Sequence, residues 1–162
     1  MHFILDGYNI IFKLSSLFNS PNIKNSRVKL IHYIRIKSPQ GSHRNPVTIV
    51  FDSSQLITDY PIPSGIEVKF ANKISADDYI IKLIEKSPTP KMITLVTDDR
   101  ELQLRAKTLD ASYIGVEDFF APKMTHKPKG TSKPSLSATD MREINSELLA
   151  KERPQTTKKR FL

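Results

Sequence analysis

Five short apolar runs rich in Ile and Val, at 2–5, 47–51, 66–70, 92–96 and 112–116, alternate with segments whose apolar residues recur at helical spacing. Runs of this length suit buried strands rather than helices, which need ten or more residues to close a stable apolar face. The intervening pattern predicts helices over 26–36, with Val28, Ile31 and Ile34 on one stripe, over 76–86, with Ile80, Ile81 and Ile84, and over 99–109, with Leu102, Leu104 and Ala106. A further short helix is expected over 10–18, and the Pro-rich stretch 60–65 reads as a loop. Because a parallel crossover needs a long connection, usually a helix, the alternation predicts an α/β fold: a three-layer α/β/α sandwich around a mainly parallel sheet of about five strands.

The charge is unevenly spread. The formal net charge is +8, yet residues 122–162 hold ten of the 25 Lys and Arg residues and only four of the 17 Asp and Glu, so most of the excess lies there. Residues 122–137 mix Pro, Lys, Ser and Thr with few apolar side chains and read as a linker. Met141, Ile144, Leu148 and Leu149 then recur at helical spacing, which predicts a helix over 139–152. The domain reading is a compact unit over 1–121 followed by a basic linker and helical tail over 122–162. Such a tail either solubilises the chain or contacts a polyanion, RNA or the ribosome.

Several chemistries are excluded. There is no cysteine, hence no disulfide, thiolate zinc site or cysteine nucleophile, and a reducing, cytoplasmic setting is expected. Neither a signal peptide nor a membrane anchor is expected, because Asp6 interrupts the apolar start and no apolar run approaches 18 residues. The five glycines, at 7, 41, 65, 115 and 130, cannot spell a dinucleotide-binding fingerprint or a P-loop. The four histidines are scattered and carry no assigned role.

Six aspartates point to a different chemistry. Asp6 ends the first run, Asp52 the second, Asp98 and Asp99 the fourth, and Asp77 and Asp78 open the helix after the third. In an open α/β sheet the ligand crevice lies beyond the carboxyl ends of the strands, so all six are expected on one rim. Two carboxylates 5 Å apart repel by about 3 kcal/mol at an effective dielectric near 20, and a cation is the natural remedy. Oxygen ligands without Cys or clustered His suit Mg²⁺ or Mn²⁺, and phosphodiester hydrolysis follows as the expected reaction.

Structural readings compete at each position. Ser75-Ala-Asp-Asp78 has the form of a capping box, which would make Asp78 a helix-start residue, and Asp98-Asp-Arg-Glu101 is a second, with Asp98 as N-cap. Asp77 is left without such a role beyond favouring the helix dipole. Asp6 has no helix to cap directly after it, and Asp52 reads as a ligand or a turn former. Asn9 is spaced to return its amide towards Asp6 or to form an Asx-turn, and Gly7 is read as supplying backbone freedom. Tyr8 is packing or a stacking surface for a base, and Arg100 pairs with a phosphate or with Asp99.

The segments DGYNII at 6–11, IVFD at 49–52, GIEVKF at 65–70, SADDYI at 75–80 and VTDDREL at 96–102 together resemble the YacP-like NYN branch of the PIN-like nuclease superfamily. The resemblance spans about residues 2–120, with the motifs in family order. It implies an α/β/α sandwich and a metal-dependent endoribonuclease that uses Mg²⁺ or Mn²⁺ on RNA, and bacterial YacP-like members are associated with ribosome-linked RNA cleavage. By motif, Asp6, Asp77 and Asp99 fall on the family's metal-site aspartates and Asn9 on the amide that accompanies the first. Asp52, Asp78 and Asp98 are auxiliary candidates, and Tyr8 and Arg100 candidates for substrate contact. Where the family commonly has Ser-Asp-Arg, this chain has Asp98-Asp99-Arg100, so either acid is open to face the metal. The segment 53–65 has no Lys or Arg. The alternative function is a non-catalytic RNA- or ribosome-binding adaptor.

Overall fold

A computed structural model describes residues 1–18, 22–52 and 61–121. The expected tail, with its linker and helix, lies outside the described residues, as does the start of the loop expected over 60–65. Five strands form one sheet: β1 His2–Asp6, β2 Val47–Phe51, β3 Ile66–Phe70, β4 Ile93–Val96 and β5 Ser112–Ile114. Their order is β3-β2-β1-β4-β5, and every pairing is parallel. The first strand is therefore the middle of the sheet. Leu5 is level with Ile49 on one side and Val96 on the other.

Side chains alternate across the strands, and so neighbours in sequence enter opposite layers. Leu5, Ile49 and Val96 pack under α1 (Gly7–Lys13), α2 (Ser15–Phe18), α3 (Ile23–Lys37) and α6 (Val116–Phe120). Ile4, Val50 and Leu95 pack under α4 (Ala76–Glu85) and α5 (Arg100–Thr108). The expected three-layer sandwich is what forms. Both faces are covered, as an all-parallel sheet requires. Among the described residues no helix is long and apolar enough to cross a membrane.

Boundaries moved where the local signal was ambiguous. The run 112–116 stops as a strand at Ile114, because Gly115 turns the chain and Val116 opens α6, a helix of five residues too short to show a period. Met92 leaves the strand for a 3-10 turn over Pro90–Met92, set by Pro90 at its first position. The helix expected over 10–18 begins three residues earlier, at Gly7, and breaks at Leu14 into α1 and α2. That early start changes the site.

Candidate metal centre

The carboxyl ends of β1, β2 and β4 and the first turn of α4 meet at one rim. Asp6 is the last residue of β1 and, contrary to expectation, does cap a helix: its Oδ1 accepts the Asn9 N–H at the start of α1. Its Oδ2 accepts the buried Thr97 hydroxyl at 3.2 Å. Only 8% of Asp6 is exposed. Burial, reinforced by the nearby charges of Asp77 and Asp99, pushes its carboxyl up to about 6 against the counter-effect of these two hydrogen bonds.

Asp77 stands in the first turn of α4, half-buried, and burial followed by the charge of Asp99 raises its pKa as well. Asp52, exposed at the end of β2, adds a smaller repulsion. Asp99 is the N-cap of α5, its Oδ1 accepting the Leu102 N–H at 2.9 Å. Asp6, Asp77 and Asp99 are thus one electrostatically coupled set, supplied by β1, α4 and the β4–α5 turn.

Asp98 takes a different direction, and the capping box led by Asp98 does not form. Its Oδ1 accepts the Val116 N–H at 2.9 Å, its Oδ2 meets Lys13 Nζ at 3.2 Å, and its own N–H donates to Asn9 Oδ1 at 3.0 Å. Gly115, the residue before α6, has no side chain to cap that helix, and Asp98 supplies the acceptor from another loop. A Cβ on Gly115 would lie 3.3 Å from the same oxygen, close enough to crowd it. The two neighbours thus differ in their surroundings: Asp98 clasps α1 and α6, while the charge of Asp99 reaches Asp6 and Asp77. Asn9 turns its side chain to this clasp, and only its backbone N–H reaches Asp6. Asp98→Ala should cost about 1–2 kcal/mol through the lost cap and leave Mn²⁺ affinity nearly unchanged. Calorimetric titration checks this: a loss of affinity as large as that of Asp99→Asn would put Asp98 among the ligands.

The capping box at α4 forms in half. Ser75 Oγ accepts the Asp78 N–H at 3.1 Å, but the Asp78 carboxylate reaches across to Arg105 Nη2 at 2.8 Å. Arg105 and the Ser75 hydroxyl hold the Asp78 carboxyl below its ordinary range. Tyr8 is packed and partly buried: its ring lies edge-on to Phe51 and its hydroxyl accepts from Arg27, whose guanidinium sits among Tyr8, Phe51 and Phe70. Arg100, first in α5, is exposed and makes no ion pair among the described residues.

Sequence reasoning passed over Thr97. Its hydroxyl donates to Asp6 and accepts the Asp99 N–H at 3.1 Å, so a single side-chain oxygen joins the two acids. Gln103 Nε2 in turn holds the Thr97 carbonyl at 2.7 Å. The available signal was register: aligning the two apolar runs sets Thr97 beside Asp6, one step beyond the Leu5–Val96 pair.

The donor set fits a hard divalent cation. Its acids are carboxylate-oxygen donors around a buried Asp6, and of the nearby cations Lys13 and Arg105 are engaged by Asp98 and Asp78 while Arg100 is exposed beside Asp99. Among the described residues no three His, Asp or Glu side chains close into a ready-made metal cage. Mg²⁺ does not demand one, since it keeps several waters and is held by one or two carboxylates together with substrate phosphates.

Comparison with known proteins follows the same line. The YacP-like NYN domain family matches residues 3–161. The fold is similar to the crystal structure of Rae1 (YacP) from Bacillus subtilis, with a TM-score of 0.59 at 19% identity, covering 93% of this chain and 76% of that one. A point mutant of the same protein aligns with a TM-score of 0.55 at 21% identity, over 92% of this chain and 77% of that one. No curated protein matches the sequence.

Proposed function

Because the chain belongs to the YacP-like NYN domain family, a nuclease-like branch of the PIN superfamily, we propose that it is a metal-dependent endoribonuclease that hydrolyses RNA phosphodiester bonds. The observation that carries this reading is the coupled trio Asp6, Asp77 and Asp99, whose innermost member has its pKa raised to about 6 by burial and by the other two. Helix capping accounts for Asp6 and Asp99 one at a time, but not for Asp77 or for burying Asp6 beside two like charges. Mg²⁺ or Mn²⁺, held by Asp6, Asp77 and Asp99 with Asp52 at the edge, would supply an activated water and charge to stabilise the leaving oxygen.

The chain's own residues do the positioning. Thr97 and the Asn9 N–H fix both oxygens of Asp6, and the Leu102 N–H fixes one oxygen of Asp99, leaving the other for the rim. Arg100 offers an exposed guanidinium beside Asp99 for a substrate phosphate. RNA is the partner in this reading, with ribosome-associated mRNA as one source and the cytoplasm as the setting. Incubating the full chain with single-stranded RNA should give cleavage in Mn²⁺ or Mg²⁺ that chelator abolishes and added metal restores. Binding of RNA or ribosomes without cleavage under any metal would return the chain to the adaptor reading.

A further inference from the structure

A groove of about 590 Å³ opens beside the carboxyl end of β3, between the β3–α4 loop and α4. Its floor is apolar and aromatic: Phe70, Ile74, Tyr79 and Leu83, each only partly buried. Its rim carries Lys73, Lys82 and Lys86. Tyr79, Lys82, Leu83 and Lys86 are spaced i, i+3, i+4, i+7, so one stripe of α4 lines the groove while Ile80, Ile81 and Ile84 face the core. Among the described residues no ion pair engages the three lysines, although Lys82 lies within electrostatic reach of Asp78.

The stripe starts two residues after Asp77. At 1.5 Å per residue it runs about 10 Å down the helix from the acidic rim. The groove lies at the same end of the sheet as the acids, since Phe70 ends β3 beside β2 and Lys73 and Ile74 precede Asp77 by four and three residues. An RNA strand passing from the acids to Tyr79 crosses the first turn of α4. The groove also supplies what the segment 53–65 lacks in sequence, a set of cations, placed in the loop before α4 and along α4 itself. Partly exposed aromatic rings beside unpaired lysines match one polymer chemistry: bases that stack and phosphates that need neutralising. A duplex hides its base faces, so the strand must be single.

We propose that this groove holds the single-stranded RNA next to the cleaved phosphodiester, with a base stacked on Tyr79 and phosphates on Lys73, Lys82 and Lys86. The inference rests on the nuclease reading, and its test is separable from it. Binding of a fluorescent ten-nucleotide uridylate to the full chain is measured in chelator, so that nothing is cut. Lys82→Gln with Lys86→Gln should weaken binding at least about tenfold and lower the slope of log K against log salt by about 1.4, the value for two phosphates on a single strand. Tyr79→Leu should weaken it about 5- to 100-fold, and Tyr79→Phe, which keeps the ring, should not. A ten-residue polyglutamate should compete poorly, as it has charge without bases.

Thermal melts confirm that each variant is folded. With metal added, the lysine variants should raise KM and keep kcat. Cleavage by the unaltered chain together with unchanged binding in every groove variant overturns the groove and leaves the nuclease standing. Groove-dependent binding without cleavage overturns the nuclease and upholds the groove as an RNA contact. Equal binding of polyglutamate and uridylate overturns the stacking role and with it the assignment to RNA.

Discussion

Asp6→Asn should make the metal-free protein more stable at neutral pH while lowering metal-dependent cleavage at least about 100-fold, the equivalent of roughly 3 kcal/mol in the barrier. The sign follows from the carboxyl being raised from 3.8 to about 6. A group that holds its proton more tightly when folded contributes stability fully below about 3.8 and loses it as pH rises through about 6. Above that pH the ionised Asp6 costs about 3 kcal/mol relative to an unperturbed aspartate. The amide is neutral and of the same shape, and it remains a good N-cap for α1. Part of the gain is returned because Thr97, which donates to one carboxylate oxygen and accepts from Asp99, cannot satisfy an amide N–H equally well. A net gain of about 1–2 kcal/mol at pH 7 is expected, narrowing towards pH 4. Urea midpoints at pH 4, 5.5 and 7, beside cleavage rates in Mn²⁺, check both halves. Undiminished cleavage would remove Asp6 from the reaction, and a stability loss at pH 7 would mean that its negative charge supports the fold.

Gly7→Ala should be severely destabilising, although helix propensity alone points the other way. Inside a helix, alanine is favoured over glycine by about 0.5–1 kcal/mol. Gly7 is the first residue of α1 and is not in the left-handed region, so the backbone freedom expected of it is not what it provides. What it provides is room: a Cβ there would lie 2.3 Å from Phe51 Cε1 and 2.5 Å from Cδ1. The ring cannot step aside, being fully buried between Tyr8, Phe70 and the Arg27 guanidinium. Overpacking of this kind costs about 1–3 kcal/mol or more, and sterics therefore outweigh propensity. A melting temperature lower by about 5 °C or more is expected. The pair should be strongly non-additive: in a Phe51→Leu background, Gly7→Ala should cost little further. An additive result would mean that the clash with Phe51 is not the cause.

What could be read from sequence here was periodicity, and what could not was direction. β2 and β3 fall where their Ile and Val runs place them, and β1 and β4 differ by one residue, because buried parallel strands announce themselves as short apolar blocks. The acids were locatable on the rim for the same reason. Where each carboxylate points depends on register and on helix starts, which composition does not encode. Asp98 and Asp99 are chemically identical neighbours, yet one caps α6 at a distance and the other caps its own helix. Asn9 illustrates the same limit: its spacing from Asp6 is that of an N-cap pair, and the bond is made by its backbone, freeing the amide oxygen for Asp98. α6 was hidden because Ser112-Tyr-Ile-Gly-Val116 reads as one β-rich run, and the helix that follows offers barely more than one turn of pattern.

The central place of β1 bears on the time at which the site can exist. Its neighbours are β2 on one side and β4 on the other, and the Thr97–Asp6 bond joins residues 91 positions apart. During synthesis at about 5–20 residues per second, Asp6 waits between roughly 5 and 20 seconds for Thr97 to be made. Until then β1 has one open edge, and the acid at its end has its Asn9 partner but lacks the Thr97 hydroxyl. Non-local parallel pairing of this kind is slow to form even in the finished chain. A nascent chain ending with β4 at Val96 thus carries Asp6, Asp52 and Asp77 without Asp99, and acquires its full set of acids only after the last inner strand has docked.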